Sequence, residues 1–142
     1  MKTQEPVHKS VVVPSVPNQL QTLAEQLLRD AQRCHLNPDE SFALHLALEE
    51  ALYNAAKHGN KLDPNKNVTV DFTVTCDKID LTVTDQGEGF SPQEIPDCRM
   101  QENLYKFGGR GVLLMRSYMD VVEFNPKGNQ IHLVKFRKQD KG

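Results

Sequence analysis

Two neighbouring segments of the chain alternate strictly between apolar and polar residues, and this pattern constrains the fold more than any other feature. Apolar residues stand at every second position from Val68 to Cys76, and again from Ile79 to Val83. Alternation with period two is typical of strands with one buried face, and the Asp77-Lys78 pair between the segments favours a hairpin turn. We therefore expect an antiparallel pair of strands that needs a covering layer on one face.

Two helices are predicted before this hairpin. Apolar residues between positions 20 and 31 recur at spacings of three and four, as on one face of an amphipathic helix. The second helix has a strong start signal, because Asn37 suits the N-cap and Glu40 follows it by three residues. We expect this helix to run to about His58 and to stop at Gly59.

The remaining elements complete a two-layer fold. A first strand is predicted over Val7–Val13, a third helix over Val112–Met119, and closing strands over residues 121–124 and 131–136. The Gly- and Pro-rich connection over 86–108 is long enough to be a functional loop. The sum is an α+β fold, a two-layer sandwich with helices on one face of a mainly antiparallel sheet.

Length and charge narrow the class of protein. With 142 residues, the chain is expected to form a single domain (1–142) with a core over about 7–137. It has 17 basic and 19 acidic residues and no arginine-rich tract, so nucleic acid is not an expected partner. No apolar run suits a membrane span or a signal peptide, so we expect no membrane association and a cytoplasmic location. The three cysteines and five histidines lack the spacing of a zinc site or a disulfide framework.

A polar stripe on the second helix is the first candidate for chemistry. Glu50, Asn54 and His58 are four residues apart and fall along one side of an α-helix, beside its apolar face. A ligand could reach them at the rim of the core. The alternative is an ordinary solvated helix face, which is common for polar pairs at this spacing.

The end of the second alternating segment holds the next candidate. The parity that buries Ile79, Leu81 and Val83 also turns Asp85 inward, where an ionised carboxylate needs a hydrogen-bond donor. Asp85 is followed by Gly87 and Gly89, which would let the backbone pass close to a flat ligand. An adenine amino group would satisfy the carboxylate; the alternative is an outward Asp that caps the turn.

A third candidate opens the third helix. The run Gly108-Gly109-Arg110-Gly111 precedes apolar residues, and backbone N–H groups at a helix start suit phosphate. Arg110 and Lys106 add positive charge. A flexible loop end is the alternative, and the pattern is not a P-loop.

Together these motifs resemble those of the GHKL (Bergerat-fold) ATPases. Residues 46–60 resemble the N box, 85–90 the DxGxGF box, and 109–115 the second glycine box. The resemblance extends over about residues 7–136. Within the superfamily, the chain is most similar to the small serine-protein kinases that are also anti-sigma factors.

The resemblance implies a role for each matching residue. Glu50 would be the general base, Asn54 would hold magnesium, and Asp85 would bind adenine in a pocket shaped by the nearby glycines. The remaining ATP-binding residues that it implies are Lys57, His58, Gly87, Gly89, Lys106, Gly109, Arg110 and Gly111. For His58, a C-terminal helix cap is the alternative.

The implied function is an ATP- and Mg²⁺-dependent serine-protein kinase and anti-sigma factor. Its substrate would be a STAS-domain anti-anti-sigma protein, with a sigma factor as a further partner. A homodimer and a lid over about residues 91–108 are also implied. Two alternatives stay open, namely an ATP-gated binding regulator without kinase activity and an isolated histidine-kinase-like ATPase domain.

Overall fold

The computed structural model describes residues 6–87 and 109–137, which contain three helices and five strands. In chain order they are β1 (Val7–Pro14), α1 (Pro17–Gln32), α2 (Pro38–Tyr53), a π-helical turn (Asn54–Gly59), β2 (Asn67–Val74), β3 (Lys78–Thr84), α3 (Gly109–Tyr118), β4 (Val121–Phe124) and β5 (Gln130–Phe136). None of the helices described is long and apolar enough to cross a membrane.

The five strands form one antiparallel sheet in the order β1-β2-β3-β5-β4. Across its centre Phe72 pairs with Leu81, and Leu81 pairs with Leu133. All three side chains are fully buried beneath the helical layer. Each such side chain stabilises the fold by roughly 1.5–3 kcal/mol relative to exposure. The predicted α+β sandwich is therefore confirmed.

The hairpin between β2 and β3 differs from the prediction by one residue. Val74 pairs with Ile79, and the Thr75 N–H donates to the Lys78 carbonyl at 2.9 Å. The two residues at the tip are therefore Cys76 and Asp77. Cys76 is exposed rather than a buried member of the strand, because β2 ends at Val74.

The start of α2 confirms the capping signal read from the sequence. Asn37 Oδ1 accepts from the Glu40 N–H at 2.7 Å, and Glu40 Oε1 accepts from the Asn37 N–H at 2.9 Å. These bonds satisfy two N–H groups that a helix start otherwise leaves without partners. The helix thus begins at a fixed position, and this fixes which of its side chains face the sheet.

The third helix begins earlier than predicted, at Gly109 instead of Val112. Gly109, Arg110 and Gly111 therefore lie in its first turn, where backbone N–H groups lack partners within the helix. The predicted lid over 91–108, with Lys106, lies outside the described residues, and so does Gly89.

Candidate functional site

A cavity of about 170 Å³ lies where the end of α2 meets β3 and the β4–β5 hairpin. Its lining contains three of the predicted site residues, Asn54, His58 and Asp85, together with Gly59. The complete lining is Ala51, Asn54, Ala55, His58, Gly59, Lys61, Val83, Asp85, Phe124, Gly128, Asn129, Gln130 and Ile131.

Asp85 turns inward, as the strand alternation predicts, and is only 9% exposed. Its Oδ1 accepts from the Gly87 N–H at 2.8 Å, while its backbone is held by Asn129 through bonds of 2.8 and 3.1 Å. Burial raises the pKa of Asp85, and the Gly87 N–H, Lys127 and Lys66 oppose that rise. A buried carboxylate with so few donors can accept a hydrogen bond from an amino group of a ligand.

Gly59 and Gly87 allow this arrangement because neither position has room for a side chain. A Cβ on Gly59 would lie under 3.0 Å from the Asp85 carboxylate, and a Cβ on Gly87 would overlap the Gly59 carbonyl. Neither glycine has a positive φ. Gly59 is thus required for close approach to Asp85 rather than as a left-handed helix stop, and Gly87 packs on Gly59 instead of on the cavity. After this helix end, the residues with left-handed backbone are Lys61 and Leu62, with φ of 55° and 58°.

The last turn of the second helix is a π-helix, which the sequence did not indicate. The Asn60 N–H donates to the Ala55 carbonyl, five residues back, at 2.8 Å. Such i→i+5 turns hold more residues than an α-turn and often occur at functional sites. Within this turn, Asn54 and His58 both reach the cavity.

Asn54 offers the cavity a buried side-chain oxygen. Its Oδ1 is buried and accepts no hydrogen bond from the residues that the structure describes. Leaving a buried acceptor without a partner costs about 1–3 kcal/mol, so such atoms in folded proteins call for an explanation. Amide oxygens are ligands for hard cations such as Mg²⁺. Asn54 therefore fits the predicted role of metal ligand.

Asn60 is a residue of the site that sequence reasoning missed. Its side chain is fully buried; Nδ2 donates to Ser15 Oγ at 2.8 Å and to the Asn67 carbonyl at 2.9 Å. Its Oδ1 accepts from the Gln86 N–H at 2.7 Å. One amide thus connects the helix end, two strand ends and the segment after Asp85. In the sequence it follows a glycine and is typical of an ordinary turn.

Glu50 and Lys57 lie on the other flank of α2, in a groove shared with α1. Lys57 Nζ donates to Tyr53 Oη at 2.6 Å, so the structure does not bring it to the cavity. Burial, followed by the charge of Glu49, raises the pKa of Glu50. Burial also lowers the pKa of His58, with smaller effects from Lys57 and Lys61. Glu50 and Lys57 therefore line the groove, whereas Asn54, one helical turn after Glu50, lines the cavity together with His58.

The helix layer over an antiparallel sheet, with an asparagine oxygen and a buried aspartate lining one cavity, is the arrangement of an ATP-binding α+β domain. Residues 13–135 match the family described as histidine kinase-like ATPase domain, and the chain belongs to that family. The resemblance predicted from the three motifs is thereby confirmed.

Curated relatives extend the likeness over most of the chain. The chain is 29% identical to the serine-protein kinase RsbW of Bacillus subtilis (strain 168) over 131 residues, which cover 87% of this chain and 82% of the relative. It is 28% identical to RsbW of Bacillus licheniformis over 141 residues, covering 90% and 84%. With RsbW of Listeria monocytogenes serotype 4a, it shares 29% over 100 residues, covering 66% and 64%.

Proposed function

We propose that the protein is an ATP-dependent serine-protein kinase and anti-sigma factor that phosphorylates a STAS-domain antagonist. The observation that carries this proposal is the buried Oδ1 of Asn54, which has no partner among the described residues, in a cavity that Asp85 also lines. Glu50, four residues before Asn54, supplies a base near the same end of the site. The relatives named serine-protein kinase RsbW support the activity.

Asp85 provides recognition of the base. Its carboxylate accepts a hydrogen bond from the adenine 6-amino group. Asn60, Gly59 and Gly87 fix the position of the carboxylate. Guanine carries a carbonyl oxygen in place of that amino group, so it would face the carboxylate with an acceptor. Discrimination of this kind is large because the buried polar group of the protein is left unpaired.

Asn54 is proposed to hold Mg²⁺ through Oδ1, and the N–H groups of Gly109, Arg110 and Gly111 to bind phosphate at the start of α3. Lys106 adds positive charge in this proposal, and His58, whose pKa burial lowers, offers the cavity a neutral imidazole. The metal ion would neutralise charge on the phosphates.

Glu50 is the proposed general base. It accepts the proton of a serine hydroxyl as the serine oxygen bonds to the terminal phosphorus of ATP, and the bond from that phosphorus to the bridging oxygen of ADP breaks. Its raised pKa makes it a stronger base than an ordinary glutamate. The STAS-domain substrate, a sigma factor as second partner, a single-domain chain and a homodimer belong to the same proposal.

Glu50→Gln tests the kinase because it preserves shape and removes the base. ATP affinity, measured by calorimetry, should stay close to that of the wild type. Transfer of radiolabelled phosphate to a STAS-domain protein should fall by about 10²–10⁴-fold. Asn54→Ala is the matched variant and should weaken Mg²⁺-ATP binding itself. Normal transfer by Glu50→Gln would assign the base to another group.

One observation favours a second candidate, an ATP-gated binding regulator. Glu50 lines the groove and not the cavity that holds Asn54 and Asp85. If this separation persists when ATP binds, the chain would hold a partner in an ATP-dependent manner and transfer no phosphate. A bound STAS-domain partner that acquires no label from wild-type protein would decide for this candidate.

A further inference from the structure

The groove between α1 and α2 is distinct from the cavity, and the two share no lining residue. It encloses about 660 Å³ between residues 17–28 of α1 and residues 45–62, which run from α2 past the π-helical turn. Glu50, Tyr53 and Lys57 form one wall, because spacings of three and four place them on one side of the helix. The proposed base therefore faces this groove.

The floor of the groove is apolar and its walls carry excess negative charge. Leu20, Ala24, Leu28, Leu52 and Ala56 supply apolar lining. The acidic residues of the walls are Glu25, Glu49 and Glu50, and the basic ones are Lys57 and His45.

Both basic groups of the groove already have partners. Lys57 Nζ lies against Tyr53, and His45 Nε2 is bonded to Glu49. Glu25 and Glu50 have no ion pair with any residue in the described part of the chain. Two carboxylates beside an apolar floor complement a segment that carries both a cation and apolar side chains.

Leu62 gives a second and independent indication. It is 46% exposed, lines the groove, and has a φ of 58°, a backbone conformation that is strained for a leucine. The Leu62 N–H is held by the Ala56 carbonyl at 2.8 Å. An exposed apolar side chain on a strained backbone is unfavourable in the free chain, and a partner that covers it would offset this.

We propose that this groove binds the serine-bearing segment of the protein substrate, and that this segment carries Lys or Arg close to the serine and aliphatic residues around it. The inference rests on the proposed kinase function, because it uses Glu50 as the base that must touch the serine hydroxyl. The aliphatic side chains cover Leu62 and the apolar floor, and the cation pairs with Glu25.

A peptide library with a fixed central serine tests the proposal directly. Wild-type protein and labelled ATP are incubated with pools in which each flanking position is varied in turn. Pools with Lys or Arg near the serine, and pools with Leu, Ile or Val, should be labelled most. Glu25→Lys should reduce the preference for basic residues by about two- to fivefold, as for a solvent-exposed ion pair.

Two further variants make the result specific. Leu62→Gly tolerates the positive φ while removing the side chain, so it should weaken the preference for aliphatic residues. Glu123→Lys is the matched charge reversal on exposed β4, and it should leave both preferences unchanged.

The remaining outcomes contradict either the role of the groove or the kinase function. Labelling without a preference for basic residues, or a preference that Glu25→Lys does not alter, overturns the proposal that the groove binds the substrate segment. Labelling of a STAS-domain protein but of no peptide also overturns it, while the kinase function stands. ATP binding without labelling of protein or peptide refutes the kinase itself.

Discussion

Asn60 provides the sharpest test of how the site is held together. Asn60→Ala removes one amide that donates to Ser15 Oγ and to the Asn67 carbonyl and that accepts from the Gln86 N–H. The two backbone groups, both part-buried, lose this partner, at up to about 1–3 kcal/mol each. We expect a loss of about 3 kcal/mol, a large part of the 5–15 kcal/mol typical of a domain. The melting temperature should fall by about 10 °C.

The same change should also weaken ATP binding. Gln86 directly follows Asp85, and the bond from its N–H to Asn60 Oδ1 holds this segment, and with it the carboxylate, in place. A milder variant, Asn60→Ser, allows both effects to be measured in folded protein. If Asn60 acts on ATP through Asp85, then Asn60→Ser and Asp85→Asn should be non-additive in the binding free energy. Isothermal titration calorimetry on the two single variants and the double variant gives this coupling.

Glu40→Gln is the control for general destabilisation. Glu40 is buried at the far end of α2, where its carboxylate lies 3.3 Å from Arg137 Nε, so removing that charge should lower the melting temperature without changing ATP affinity. If Asn60→Ser and Glu40→Gln affect ATP equally, or if the Asn60 and Asp85 effects simply add, then Asn60 does not position Asp85. If the melting temperature of Asn60→Ala stays within about 3 °C of the wild-type value, the expected loss of about 3 kcal/mol is wrong.

The remaining predictions concern the cavity and the base. ATP with Mg²⁺ should raise the melting temperature while GTP should not, and Asp85→Asn should abolish the ATP effect; equal stabilisation by GTP would refute the adenine assignment. Because burial raises the pKa of Asp85, ionisation destabilises the fold, and this penalty grows as pH rises from the unfolded value through the folded pKa. Asp85→Asn should therefore stabilise the nucleotide-free protein at pH 7 and lose that advantage in acid, as followed by thermal denaturation across pH. Gly59→Ala should destabilise the protein and remove ATP binding, because the added Cβ would overlap the Asp85 carboxylate. This is expected although alanine favours a helix over glycine by about 1 kcal/mol. A more stable variant that still binds ATP would contradict it. Burial raises the pKa of Glu50, and the charge of Glu49 adds to that rise. Glu49→Gln should therefore move the acid limb of the phosphate-transfer profile to lower pH, and an unmoved limb would argue against Glu50 as the titrating base.

Features of the fold that depend on local physics could be predicted from the sequence. The capping box at Asn37 and Glu40 fixes the start of α2 through bonds between residues three apart. The inward direction of Asp85 follows from the alternation of a strand, which is a property of the backbone alone. The predicted position of the hairpin tip is wrong by one residue. The tip is fixed by the pairing of Val74 with Ile79, which involves both strands and not the turn residues alone.

The position of each site residue relative to the others was decided only by the tertiary structure. Sequence spacing put Glu50, Asn54 and His58 on one stripe, but the packing of α1 on one flank and of β3 and β5 on the other assigns Glu50 to the groove and Asn54 to the cavity. Asn60 gains its function from partners up to 45 positions away in the chain, and no local pattern carries that information.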